Sequence, residues 1–129
     1  MTENDKNKIF DMITKMGFIG GTVIFTGGND EGGVESIMLR TNDSEKELKE
    51  SEGARTIYDQ QLKKYRKLGD ETEEDILYEL MSKPVYDEYG SFAGEFYVSG
   101  EIYFDCEKRT VLMTGNETIE EYISIDEEL

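Results

Sequence analysis

The order of its apolar patterns predicts an α+β fold, a mostly antiparallel sheet of four or five strands with helices packed on one face. Three observations carry that expectation. A helical stripe of Ile9, Phe10, Ile13 and Met16 opens the chain. Two β-branched and aromatic runs, residues 22–26 and 34–40, flank the glycine-rich stretch FTGGNDEGGVES. The late segment EFYVSGEIYFD alternates with a period of two. Strand runs kept apart from helix runs point to α+β rather than to a parallel α/β sheet.

The first helix is expected over residues 3–16. Thr2 suits its N-cap, Glu3 and Asp5 suit the positive end of its dipole, and Gly17 suits its stop. The two runs that follow lie close enough to pair antiparallel. Between them residues 27–33 read as a loop, long for a hairpin, with bulges expected. Glycines there supply positive φ, and Asp30 and Glu31 would be displayed as fixed charges. The loop lacks the alternating oxygens of a calcium loop. It also lacks the lysine and following helix of a phosphate loop.

Residues 41–54, TNDSEKELKESEGA, carry no apolar face except Leu48 and read as an exposed polar connection. Ile57, Tyr58, Leu62 and Tyr65 mark a second helix, about 55–67. KKYRK, residues 63–67, would complement the carbonyl end of its dipole. A third helix is expected over 73–83. Thr72 and Asp75 form a capping pair, Ile76, Leu77, Leu80 and Met81 a face, and Pro84 a stop.

In EFYVSGEIYFD, Phe96, Val98, Ile102 and Phe104 share one face, with Gly100 in their row. Glu95, Tyr97, Ser99, Glu101, Tyr103 and Asp105 share the other. DCEKR is a turn and TVLMT its returning strand. Ile123 and Ile125 make a short last alternation before an acidic C-terminal tail. No repeat and no linker splits the 129 residues, which read as a single domain, 1–129.

Composition narrows the chemistry. Thirty acids against 14 bases give a net charge of −16. Such a chain repels phosphate and anionic lipid, so neither direct nucleic-acid binding nor a membrane is expected, whereas a basic protein surface would attract it. There is no histidine and one cysteine, Cys106. This removes the imidazole base, the histidine-activated nucleophiles, an intrachain disulfide and a structural zinc site. No cofactor is expected. The single cysteine and the lack of an apolar leader suit a cytoplasmic protein.

VIFTGGNDEGGVES and, much later, DEYGSFAGEFYVSGEIYFDCEKRTVLMTGNETI carry a recognisable pattern. It resembles a family of small acidic proteins of unknown function found in bacteriophages and bacterial mobile elements. The shared motif is G-G-x-D-x-G-x-V/I-E, here Gly27, Gly28, Asp30, Gly32, Val34 and Glu35. A later G-x-I-x-x-D falls on Gly100, Glu101, Ile102 and Asp105. The resemblance implies an α+β fold and an accessory role in a phage or mobile element, with no catalytic residues to carry over.

The functional expectation is a non-enzymatic acidic binder or inhibitor of a basic nucleic-acid-binding protein, such as a bacterial nuclease or other defence effector. Anti-CRISPR proteins act in this way, some as nucleic-acid mimics. Residues 70–90 hold eight acids against one base, and 101–129 hold nine against two. Alternate residues of a strand lie about 7 Å apart, near the phosphate spacing of a nucleic-acid strand. The expected partner-binding residues are Asp30, Glu31, Glu35, Glu95, Tyr97, Glu101, Tyr103 and Asp105. An ordinary solvated sheet face competes with this reading. Two alternatives stand beside it. One is a Mg²⁺- or Mn²⁺-dependent enzyme built on Asp30, Glu31, Glu35 and Asp105, if the two motifs converge. The other is an interaction module acting through KKYRK or as an oligomer. The sequence does not set the oligomeric state.

Overall fold

A computed structural model describes residues 1–29, 31–49, 55–59, 64–68, 72–90, 92, 96–118 and 122–129; for 55–59, 64–68, 118, 122 and 123 it describes the backbone alone. Helix α1, Glu3–Lys15, begins where expected, with Thr2 Oγ1 accepting the Asp5 N–H at 3.1 Å. It ends in a left-handed turn at Gly17, φ 90°. There the Phe18 N–H reaches Ile13 O at 3.1 Å and the Gly17 N–H reaches Thr14 O at 3.0 Å. That bond pair turns the chain directly into the sheet.

Strands β1, Gly20–Gly28, and β2, Glu31–Arg40, form an antiparallel pair. Strand β3, Glu45–Leu48, adds to the outer edge of β2. After the hairpin of β4, Arg55–Asp59, and β5, Lys64–Leu68, comes helix α2, Glu73–Tyr89. Strands β6, Tyr97–Asp105, β7, Thr110–Thr118, and β8, Tyr122–Glu128, complete the chain. The main sheet is antiparallel, six strands in the order β3-β2-β1-β6-β7-β8, and β4-β5 is a separate two-stranded sheet.

The architecture is therefore α+β, with α1 and α2 against one face of the six-stranded sheet. Ile9, Phe10 and Ile13 from α1, and Leu77, Met81 and Val85 from α2, meet Val23, Phe25, Ile37, Leu39, Ile102, Phe104, Val111 and Met113. All are buried.

Four expectations need correction. The helix expected at 55–67 is the β4-β5 hairpin, its register pairing Tyr58 with Tyr65 and Asp59 with Lys64. The β-branched and aromatic run Thr56-Ile57-Tyr58 favours strand, and so short a stretch fits both periods. Residues 64–67 of the basic cluster therefore lie in a strand and complement no helix end; Lys63 lies outside the described residues.

The polar connection at 41–54 contains β3, whose Leu48 pairs with Ile37 and is buried. One apolar residue sufficed to fix an edge strand. Residues 50–54 lie outside the described residues.

Helix α2 continues six residues past the position where Pro84 was expected to stop it, to Tyr89. Pro84 removes the N–H that would bond Leu80 O. Packing outweighs that loss. Pro84 and Val85 are buried, and Tyr89 stacks on Phe92 and Phe96 at centroid distances of 5.6 and 6.2 Å.

The main sheet has six strands rather than four or five, because β3 and the acidic tail both pair. The tail forms β8 along β7, and the Leu129 N–H bonds Val111 O at 3.0 Å.

Candidate functional site

The glycine-rich stretch is strand for most of its length. Gly27 pairs with Gly32 and Gly28 with Glu31, so the pairing of β1 and β2 runs into the segment expected to be loop. Asn29 sits at φ 50°, in the left-handed region that asparagine tolerates. The register shifts between Ile24 and Phe25, where Ser36 and Val34 are their partners, so Glu35 is the extra residue of a β-bulge.

The glycines have a packing role. A Cβ on Gly27 would overlap the Phe92 ring, and one on Gly100 would lie 2.7 Å from Phe25 Cζ and 2.6 Å from Thr114 O. Phe25, Tyr89, Phe92 and Phe96 form an aromatic cluster on the helix side, and the glycine backbone is its floor.

Among the described residues no helix covers the other side of the sheet, the open face. Directly opposed residues of antiparallel strands project to the same face. Because Val98, Ile102 and Phe104 are buried under the helices, Tyr97, Ser99, Glu101, Tyr103 and Asp105 point away from them. The register extends that face in rows. One row runs Glu31, Gly28, Tyr97. Another runs Ser36, Ile24, Glu101, Thr114, Asp126. A third runs Glu47, Met38, Thr22, Tyr103, Leu112, Glu128. A fourth runs Glu45, Arg40, Gly20, Asp105, Thr110.

Of the residues expected to bind a partner, Glu31, Glu35, Tyr97, Glu101, Tyr103 and Asp105 thus share the open face; Asp30 and Glu95 lie outside the described residues. They are not equally free. Glu35 accepts a hydrogen bond from the Thr26 hydroxyl at 2.9 Å. Asp105 Oδ1 accepts the Glu107 and Lys108 N–H groups at 3.0 and 3.1 Å, so it shapes the β6–β7 turn. Tyr103 donates to Glu101, and Asn29 donates to the Tyr97 hydroxyl. Glu31 has no hydrogen bond or ion pair among the described residues.

Most ion pairs among the described residues lie on the helix side, although Asp87 and Glu88 of α2 have no basic partner among them. On the helix side, Lys15 meets Glu73 at 3.0 Å, Lys46 meets Glu74 at 3.1 Å, Lys83 meets Asp5 at 3.3 Å and Arg109 meets Asp11 at 3.6 Å. On the open side Glu31, Glu35, Glu45, Glu101, Asp105, Asp126 and Glu128 have no basic partner among the described residues; Glu47 meets Lys49 at 3.7 Å. Arg40 is the one base in the four rows.

Sequence reasoning missed the contributions of β3 and β8 to this face, Glu45, Glu47, Asp126 and Glu128. Their alternation was present but too short to distinguish from polar coil.

The two glycine motifs lie on neighbouring strands, but Glu31 and Asp105 do not come together. Glu31 pairs at Gly28 and Asp105 at Gly20, opposite ends of β1 and roughly 26 Å apart along it. Among the described residues no three carboxylate or thiol groups gather to hold a metal. Burial pushes the Cys106 thiol up, outweighing its hydrogen bond to Thr14 and keeping it protonated. Among the described residues no helix is long and apolar enough to cross a membrane.

No curated protein and no solved structure matches this chain. A family model does, over residues 1–128, and the chain therefore belongs to the family of unknown function DUF6878.

Proposed function

We propose that the protein is a non-enzymatic acidic binder whose open sheet face occupies a basic, nucleic-acid-binding surface of another protein. The uneven pairing of charge supports this most directly. Among the described residues, five bases on the helix side pair with its acids, whereas seven acids of the open face have no basic partner around a centre of Tyr97, Tyr103, threonines and serines. Fixed carboxylates on a rigid sheet speed encounter with a cationic surface and set its register. Tyrosine adds area at low entropic cost. The acids of β3 and of β8 alternate at about 7 Å along their strands, a spacing suited to mimicry of a phosphate row.

On this reading the protein is a cytoplasmic accessory of a phage or mobile element, inhibiting a nuclease or other defence effector in the manner of anti-CRISPR proteins. The test is binding to purified bacterial nucleases and DNA-binding proteins at low and high salt, with duplex DNA as competitor. Binding that weakens steeply with salt and is displaced by DNA supports the reading. Failure to bind any of them at low salt refutes it.

A further inference from the structure

We propose that the notch between Glu31 and Tyr97 seats an arginine side chain of the partner; this rests on the docking of a basic protein to the open face. The row Glu31, Gly28, Tyr97 places a carboxylate and a phenol ring on either side of a residue with no side chain. The flanking strands are two spacings apart, roughly 9–10 Å. The gap opens as a groove of about 600 Å³ lined by Thr26, Gly28, Glu31, Tyr97, Ser99 and Asn116. It adjoins a smaller one of about 280 Å³ over Ile24, Gly100 and Glu101.

Each wall suits a guanidinium. Tyr97 is 61% exposed, so its ring face is available, and the bond from Asn29 to its hydroxyl fixes the ring. A planar cation lies flat on such a ring. Its edge then points across Gly28 to Glu31, an exposed carboxylate with no basic partner among the described residues, which can accept two parallel N–H bonds. Thr26, Ser99 and Asn116 offer oxygens to the remaining donors. A lysine ammonium can meet the carboxylate but cannot stack and bridge at once. The notch therefore selects arginine over lysine, which net charge alone does not.

Two fluorescent peptides of equal length and charge, one arginine-rich and one lysine-rich, test this by anisotropy at physiological salt. The arginine peptide is expected to bind about fivefold more tightly. Tyr97→Ala should abolish the preference, and Tyr97→Phe, which keeps the ring but loses the bond from Asn29, should retain part of it. Glu31→Gln should weaken the arginine peptide more than the lysine peptide. Equal affinities in the wild type, or a preference that survives Tyr97→Ala, overturn the arginine seat while leaving the docking face intact. Absence of binding by both peptides even at low salt removes the docking face itself, and the seat with it. Tighter binding of single-stranded oligothymidylate than of the arginine peptide, lost in Tyr97→Ala, would also overturn the proposal by making Tyr97 a base-stacking platform.

Discussion

At the scale of single residues, the glycines are set by what packs over them. Gly27 faces the Phe92 ring so closely that the three nearest neighbours of a Cβ placed on it would all be ring carbons. Gly27→Ala should therefore destabilise the fold by about 1–3 kcal/mol in urea unfolding. In a Phe92→Leu background its cost should fall well below that, because the obstructing ring is gone. Strict additivity of the two changes would show that the ring contact does not set the requirement. Tyr89, in the same cluster, is pushed up to about 12, first by burial and then by Glu117, Glu88 and Glu127. The native state holds its proton more tightly than the unfolded chain, so its contribution is whole below about pH 10 and lost toward pH 12. Over that window the wild type should lose stability relative to Tyr89→Phe; parallel curves would contradict the shift. These residues show the limits of sequence at this scale. Positive φ was legible as a reason for glycine, and Gly17, Gly28 and Gly32 agree with it. Contact with an aromatic ring from a distant segment was not, because Phe92 lies 65 positions after Gly27. Asp105 was legible as an acid on the polar face, but its use in the turn depends on backbone geometry that only the hairpin creates.

At the scale of elements, long periodic segments were read well and short ones poorly. Helix α1, its cap and its stop, the β1-β2 pair and the alternation of β6 follow directly from their patterns. The capping box of α2 is present too, with the Asp75 N–H reaching Thr72 Oγ1 at 3.2 Å and Asp75 Oδ2 accepting the Thr72 N–H at 3.0 Å. The end of α2 was misread because local chemistry at Pro84 was overruled by burial of Val85 and stacking of Tyr89. The segment 55–67 was misread because four apolar residues satisfied a helical spacing that β-branched neighbours contradict. The hairpin makes a prediction of its own. A two-stranded sheet is marginal alone, whereas β1 has a strand on each side. Amides of β4 and β5 should exchange with solvent at least about tenfold faster than those of β1. Equal protection would mean that the hairpin unfolds only with the main sheet.

At the scale of the whole molecule, charge rather than shape carries the account. The sequence revealed the excess of acids, and the period of β6 assigned Tyr97, Glu101, Tyr103 and Asp105 to one face. It could not reveal that β3 and β8 extend that face, or that most ion-paired bases among the described residues lie on the helix side. Both facts depend on strand order, which no local pattern encodes. Net charge alone would attract any cation to any side, whereas a docking face requires the attraction to be local. Two variants with the same net charge, −13, separate the cases. One removes acids from the open face, Glu31→Gln, Glu101→Gln and Asp126→Asn. The other removes acids from the helices, Glu3→Gln, Asp87→Asn and Glu88→Gln. Their affinities for a basic bacterial DNA-binding protein that captures the wild type at low salt are the most direct measurement. The open-face variant should weaken by at least about tenfold and the helix variant by less than about twofold; equal losses would contradict a docking face.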